Sequence, residues 1–377
     1  MAEVSRPIRV LHVISDLFVG GAETQLTNLA RRGDAYGIEH RVISLLPNGA
    51  HTAALLADGV PTTELAFKPT WRAPREMVRL AARIRRQSPD VVQGWMYHGD
   101  LAALIGLTLS GRRRVRLVWG LRCTDMSTAD YGPGLRATIA VCARLSHRPD
   151  VIVANARSGL DAHLRIGYRP RQAVVIANGI DIERFRPDPQ ARRDVRREFE
   201  LADDTPVVAW VARIDPIKDH ATLLAALTDL PQFVVLAIGS GTEKLDAPRN
   251  FRGLGPRDDV PRLLAACDAI VSTSLSEGFS NVLAEGMACG LPPIATDVGD
   301  SAYLMGECAI LIAPRKPAAL VAALRALFAA PASERAARGR RARARIVENF
   351  GIAQAASRYS DLYRALVAGE PVAMADR

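Results

Sequence analysis

Two glutamates eight residues apart, Glu277 and Glu285, stand in the stretch STSLSEGFSNVLAEGMACGLPPIATDVGD, and two cations five residues apart, Arg213 and Lys218, stand in VARIDPIKDH. Arginine offers a planar fork and lysine a point charge, so the pair can neutralise a diphosphate without a metal ion. Lysine is scarce, four in 377 residues, which draws attention to Lys218. The acids lie where a strand ends in a small polar loop and a helix starts near Ser280 or Asn281. Amides of Gly278, Phe279 and Ser280 would then face the same space as the cations, with Glu285 about one turn into the helix. Carboxylates accept hydrogen bonds from sugar and ribose hydroxyls while amides and cations hold phosphate, a combination suited to a sugar nucleotide. The plainer readings are two solvated loop charges and a helix-start acid interacting with the dipole.

A second candidate comes early. In DLFVGGAETQL, Gly20 and Gly21 precede a helix expected to begin near Ala22 or Glu23, and a helix start reached through small residues favours an anion. A glycine turn before a helix is also common as pure structure. The pattern is not GxGxxG, and the second strand runs into Leu45, Leu46 and Pro47 without a ribose-binding acid, which disfavours a dinucleotide oxidoreductase.

The elements that position these groups alternate, as in parallel sheets with crossover helices. Strands are expected at Ile8–Ser15, His40–Leu45, Val91–Gly94, Arg116–Gly120, Val151–Ala154 and Ala173–Ile176, with helices at Glu23–Arg32, His51–Asp58, Arg75–Gln87, Asp100–Ser110, Gly134–Ser146 and Ser158–Ile166. After a polar, proline-containing stretch a second alternation follows, with strands at Val207–Val211, Phe233–Ile238, Ala269–Ser272 and Pro293–Thr296. Its helices are expected at His220–Asp229, Val260–Ala266, Asn281–Cys289 and Pro317–Phe328, and two more at Ala332–Asn349 and Ile352–Leu366. The fold class is therefore α/β, two Rossmann-like domains with parallel sheets facing a central cleft. Residues 1–180 form the first, 181–204 a linker and 205–350 the second.

Composition narrows the function classes. With 49% hydrophobic and 24% charged residues the chain can bury real cores. Its longest apolar stretches, such as Leu101–Leu109, fall short of the roughly 20 residues a membrane span needs. A short polar leader runs directly into the first strand, which disfavours a secretory signal. Five scattered cysteines without a CxxC pair suggest neither a disulfide framework nor a zinc site, and a reducing cytoplasm fits them. Residues 1–180 carry +10 and residues 181–377 −1 of the net charge of +9, which points the first half toward an anionic partner. Arg72, Arg75, Arg79, Arg83 and Arg86 recur at helical spacing, with Met77, Leu80, Ala81 and Ile84 as an apolar stripe, a pattern expected of a helix lying on an anionic membrane surface. A second cluster, Arg112, Arg113, Arg114 and Arg116, follows. The competing reading is that arginine is simply a solvated surface residue. Aromatics are 5% and are not interleaved with the basic clusters, which argues against nucleic acid.

Taken together, EGFSNVLAEGMACGLPPIATDVGD, the upstream Arg213 and Lys218, LGPRDDVPRLLAACDAIVSTS, NGIDIERFRP, GGAETQL and QGWMYHGDLAAL resemble family 4 of the retaining GT-B glycosyltransferases over essentially the whole chain. VWGLRCTDMS and IDPIKDH are similar to the subgroup that builds bacterial surface and exported polysaccharides on lipid carriers. The resemblance implies a GT-B fold with an N-terminal acceptor domain, onto which a C-terminal helix of about 352–370 packs back, and a C-terminal donor domain. Arg213 and Lys218 would hold the donor diphosphate, Glu285 the ribose hydroxyls and Glu277 the transferred sugar. Gly278, Phe279, Ser280 and Asn281 would contact sugar and phosphate, Gly20 and Gly21 would close over the phosphates, and His98 would stand beside the reacting sugar. Arg122 in WGLR would meet an acceptor phosphate. Ala284-Glu285-Gly286 and Asp300 depart from the commoner wording without removing a charged contact.

The implied activity is metal-independent, retaining transfer of a sugar from a nucleotide-diphosphate sugar to a lipid-linked glycan, in the cytoplasm on the inner face of the membrane, with no cofactor. The absence of an Asp-x-Asp motif agrees with protein cations replacing a divalent ion. A nucleotide-sugar epimerase or phosphorylase, and a catalytically silent scaffold subunit, are the alternatives on the same fold.

Overall fold

A computed structural model describes residues 6–18, 20–67, 73–124 and 131–372 of the protein. The chain divides into two units, one running to Gly179 and resuming at Ile352, the other Ile180–Gly351. In the first unit, β1 (Ile8–Ile14), α1 (Gly21–Ala30), β2 (Ile38–Ser44), α2 (Thr52–Ala57), β3 (Thr62–Glu64), α3 (Ala73–Gln87) and β4 (Val91–Trp95) come first. They are followed by α4 (Met96–Ser110), β5 (Arg116–Leu121), α5 (Pro133–Leu145), β6 (Val151–Ala154), α6 (Arg157–Arg165) and β7 (Ala173–Val175). The strands, apolar on both faces because helices cover both, form one seven-stranded sheet in the order β3-β2-β1-β4-β5-β6-β7. Every pair in it is parallel.

The second unit repeats the plan. It contains α7 (Pro189–Glu198), β8 (Val207–Val211), α8 (His220–Thr228), β9 (Val234–Ile238), β10 (Phe251–Gly253), α9 (Val260–Ala265), β11 (Ala269–Ser272) and α10 (Asn281–Ala288). Then come β12 (Pro293–Thr296), α11 (Ser301–Met305), β13 (Ile310–Ile312), α12 (Pro317–Ala329) and α13 (Ala332–Asn349). Six parallel strands stand in the order β10-β9-β8-β11-β12-β13. The last helix, α14 (Ile352–Ala368), belongs to the first unit, where Tyr359, Leu362, Tyr363 and Leu366 share a core with Ile14, Leu26 and Trp95.

Several expectations need correction. The edge strands β3, β10 and β13 and the five-residue α11 are additional to the expected elements. Residues 181–204 are not a free linker but part of the second unit. Asp188 caps α7 through the amides of Gln190 and Ala191, and Arg192 and Arg196 both reach the Asp268 carboxylate, at 2.7 and 2.9 Å. The helix α4 begins at Met96 rather than Asp100, so His98 lies in its first turn and not in a loop.

The basic helix α3 also differs from expectation. Arg72 lies outside the described residues. Met77, Leu80, Ala81 and Ile84 are buried, and Leu80 and Ile84 pack on Gly106 of α4, so the apolar stripe is consumed by the core and cannot enter a bilayer. What faces outward is arginine, at 75, 79, 85 and 86, with Val78. Elsewhere many arginines are structural. On α13, Arg335 donates to the Phe328 and Ala330 carbonyls closing α12, Arg343 to the Ala288 carbonyl closing α10, and Arg345 to Leu304 at 2.8 Å. A guanidinium at a helix C-terminus satisfies orphan carbonyls and opposes the negative dipole end.

Candidate active site

In open α/β sheets ligands bind beyond the carboxyl ends of the strands where the order reverses. The second sheet reverses between β8 and β11. The loop after β8 carries Arg213 and Lys218, and the loop after β11 carries Glu277. The two loops are stapled by the Thr273 hydroxyl donating to the Lys218 carbonyl at 2.8 Å and the Leu275 amide to the Ile217 carbonyl at 2.7 Å. Trp210 of β8 reaches Thr273 from below through its indole nitrogen, at 3.2 Å. On this frame Lys218 Nζ donates to Glu277 Oε1 at 2.6 Å, and the Ser274 hydroxyl donates to the same oxygen at 2.8 Å. The two side chains are 25% and 13% exposed, so the pair is sheltered yet reachable.

Arg213 extends into solvent and pairs with Asp215 at 2.6 Å. Burial works against ionisation of Asp215, but the Ile217 amide and the Arg213 guanidinium outweigh it and hold its carboxyl below the usual range. The short turn Pro216–Lys218 is capped by Asp215, and Asp219, in the left-handed region at φ 46, caps α8 through Thr222. Lys218 is thus held between two capped turns.

The helix α10 starts at Asn281 after Ser280 with no side-chain cap, leaving its first turn without the usual side-chain acceptor. Phe279 departs from the expected ligand contact: its ring is buried against Phe350, centroids 5.4 Å apart, so only its backbone is available to a ligand. Ser280 is buried as well, and Gly278 and Asn281 are partly exposed. Burial pushes the Glu285 carboxyl up to about 7, with Arg184 opposing the shift. An acid so destabilised in its charged form is unusual outside functional sites.

In the first unit the order reverses between β1 and β4, and the loop after β1 and the start of α4 carry the expected residues. Gly20 caps α1 in extended conformation at φ −162, open to any residue, and α1 begins at Gly21, earlier than expected. The space above Gly20 is taken by the Glu23 carboxylate: a Cβ on Gly20 would lie 2.2 Å from Glu23 Oε2. Burial raises the Glu23 carboxyl above its ordinary value. An anion at this helix start therefore meets an acid already there. His98 is exposed, and partial desolvation lowers its imidazole pKa.

Arg122 is engaged within its own unit. One terminal nitrogen donates to Asn178 Oδ1 at 2.9 Å, the other to the Tyr359 hydroxyl, and the guanidinium lies over the Trp95 ring, 4.5 Å from its centroid. These contacts tie α14 to the sheet, each terminal nitrogen using one of its two donors within the unit.

Sequence reasoning passed over Asp215 and Ser274, although an acid before proline and a Ser-x-x-Glu spacing were readable signals. It also passed over the loop Gly239–Gly241, whose Ser240 carbonyl accepts from the Ile214 amide beside Arg213 at 2.9 Å. Gly239, at φ 140, has no room for a side chain, since a Cβ there would lie 2.2 Å from the Ala212 carbonyl oxygen. Among the described residues no three His, Cys, Asp or Glu side chains are grouped to hold a metal ion.

Comparison with known proteins places the chain in a family and a fold. The profile described as Glycosyltransferase Family 4 matches residues 19–184, and that described as Glycosyl transferases group 1 matches residues 205–330. A protein of Catenulispora acidiphila named D-inositol 3-phosphate glycosyltransferase 2 is 30% identical over 83% of this chain and 82% of its own length. The chain belongs to the family 4/group 1 glycosyltransferases. A D-inositol 3-phosphate glycosyltransferase of Geodermatophilus obscurus is 34% identical over 52% of this family member, a match spanning about half (49%) of that relative. HepE of Anabaena, crystallised with UDP, has the same two-domain GT-B fold at a TM-score of 0.81 and 21% identity, covering 95% of the chain and 100% of HepE. A further HepE crystal holds UDP-glucose.

Proposed function

We propose that the chain moves a sugar from a nucleoside diphosphate sugar, with retention and without a metal ion, to a lipid-linked glycan. The observation that carries this reading is the Lys218–Glu277 pair at the switch point of the second sheet. Arg213, paired with Asp215, extends from the same loop as Lys218, and α10 starts without a side-chain cap four residues after Glu277. The arrangement suits a leaving diphosphate: Lys218 and Arg213 neutralise charge that grows as the anomeric carbon becomes oxocarbenium-like, and preorganised cations and dipoles need no rearrangement to do so. The diphosphate takes Lys218 from Glu277, which frees that carboxylate for the sugar hydroxyls. Glu285 accepts from the ribose, and the departing phosphate accepts the acceptor's proton, so no dedicated base is required. His98 acts on the transferred sugar through its ring or its carbonyl. The HepE complexes with UDP and UDP-glucose support a donor of this class.

The test is thermal-shift titration with uridine, guanosine and adenosine diphosphate sugars, in buffer with and without EDTA. One base is expected to stabilise the protein by about 2.7 kcal/mol at a hundredfold excess over Kd, and EDTA to change nothing. Equal, base-blind shifts would overturn the reading. A donor consumed with the sugar epimerised or phosphorolysed would favour the alternative enzymes, and donor binding with no hydrolysis at all would favour a silent scaffold.

Glu285 makes the same binding pH-dependent. Its carboxyl is largely protonated below about 7, when it offers fewer acceptor sites to a diol. Donor affinity should therefore fall as pH drops through 7, by at most about tenfold per unit. Calorimetric titration between pH 8 and 5.5 checks this. Glu285→Gln should bind weakly with a flat profile, and a native-like slope in that variant would refute the role.

Acceptor class is the finer question. The exposed arginines of α3, with Arg112, Arg113 and Arg114, suit attachment to anionic headgroups, each basic residue near the surface contributing about 1 kcal/mol. Co-sedimentation with phosphatidylglycerol vesicles should be strong at low salt, lost at high salt, and reduced in Arg75→Glu/Arg85→Glu/Arg86→Glu. Equal sedimentation with neutral vesicles would sink the electrostatic account. The Catenulispora relative's name favours a second reading, in which inositol 3-phosphate is the acceptor. Mass spectrometry of products formed from each acceptor offered separately decides between them.

A further inference from the structure

We propose that Asp100 is a positioning residue for His98, fixing the helical turn that carries the imidazole against the ends of β1, β4 and β5. The proposal rests on the role given to His98 above. Three close approaches define that turn. A Cβ on Gly99 would lie 2.6 Å from the Val13 carbonyl oxygen, one on Gly94 2.4 Å from the Asp100 Cα, and one on Gly120 2.9 Å from the Gly94 carbonyl oxygen. The turn begins at Met96 with φ 60, a conformation that residues with side chains rarely take. Backbone under such constraint needs a bond that selects one arrangement, and Asp100 supplies it: Oδ1 accepts from the Gly120 amide at 2.9 Å, joining α4 to the end of β5.

Asp100 is 1% exposed, and its Oδ2 has no hydrogen-bond partner among the described residues. Among the described residues the titratable groups around it are Tyr97 of its own turn, Cys142 of α5, Tyr168 and the cation Arg122. Burial pushes its carboxyl well above the usual range, with the Gly120 amide and Arg122 opposing. A neutral carboxyl and a carboxamide have the same shape and the same acceptor at Oδ1, so the position requires the acceptor and not the charge. With a side chain this deeply buried, Asp100 does not touch substrate. It acts through the placement of His98, two residues earlier and exposed on the same turn.

The experiment uses the full chain with labelled histidine, following the His98 ring titration by NMR, assigned with His98→Gln, alongside kcat and donor KM. Asp100→Ala is expected to move the His98 titration and lower kcat by up to about a hundredfold with donor KM unchanged, as a misplacement near 1 Å can. Asp100→Asn should restore both. If a folded Asp100→Ala leaves both readouts native, or Asp100→Asn is as damaged as Asp100→Ala, the proposal is wrong. Should Asp100→Ala not fold, Asp100→Asn decides: native His98 titration, native kcat and a slowly exchanging Gly120 amide support it, and loss of these overturns it. Normal turnover in His98→Ala, with the titration still displaced in Asp100→Ala, would refute the role of His98 while leaving the positioning intact.

Discussion

Replacing Lys218 by alanine is expected to lower kcat by roughly a thousandfold, the scale of losing one preorganised donor to a developing charge. Stability falls as well, because Glu277, at a site 13% exposed, loses the ammonium it pairs with and keeps the Ser274 hydroxyl. A sheltered carboxylate left without its cation costs about 1–3 kcal/mol. In Lys218→Ala/Glu277→Gln the uncompensated charge is gone, so stability should return while activity does not. Thermal melts and turnover on the two single variants and the double form a cycle that separates the contributions. Full activity in Lys218→Ala would remove the diphosphate role. Additive stability losses would show that the ion pair is not coupled.

The second large effect is acid sensitivity of the first unit. Trp95 donates its indole proton to His12 Nδ1 at 3.0 Å, so His12 carries its proton on Nε2 and donates it to His40 Nδ1 at 2.8 Å. On the other face of the sheet the Tyr97 hydroxyl meets His163 Nε2 at 3.0 Å, and His163 Nδ1 donates to the Gly159 carbonyl at 2.7 Å. Burial lowers all three imidazoles, His40 to about 3 and His12 well below its ordinary value, with the neighbouring His40 adding to the shift of His12. The folded pKa values lie below the unfolded value near 6.5, so the unfolded chain binds more protons as pH falls. The stability these groups contribute is complete above about 6.5 and is lost progressively toward pH 3, by about 1.4 kcal/mol per pH unit for each imidazole that must charge.

Hydrogen exchange between pH 7 and 5 should show the β1 and α14 amides losing protection first. The second unit contains a single histidine, His220, and provides the control. His40→Gln, which keeps an acceptor for His12, should shallow the slope. Equal loss of protection in both units would contradict the assignment to buried imidazoles.

Much of the fold was legible because period and punctuation are local. Val-Ile-Leu runs of four to seven residues between helical patterns mark buried parallel strands, and β6, β8, β11 and β12 have the expected bounds. The edge strands β3, β10 and β13 were not legible, since the assignment of so short a segment depends on a neighbouring strand's hydrogen bonds, whereas β7 was, from the apolar run Ala173–Ile176. The Glu277–Glu285 spacing and the Arg213–Lys218 pair were visible for a similar reason: strand, loop and helix start are consecutive in the chain, so residue type and offset suffice to nominate them.

What a side chain bonds to across the fold is another matter. The sequence could name Arg122 as a cation but not place it over Trp95 with Asn178 and Tyr359, partners 56 and 237 residues away. It displayed an amphipathic arginine helix but not which body would cover its apolar stripe, and α4 covers it. Arginine number was a matter of composition; its use on carbonyls at helix ends was decided by packing. The sequence by itself determined the strand–helix rhythm, the charge balance and the chemical types at the switch points, because these depend on near neighbours. Only the tertiary structure decided that Lys218 rests on Glu277, that Glu23 lies over Gly20 and that Asp100 is sealed beneath His98, because burial and long-range partners set what those groups hold and how readily they charge.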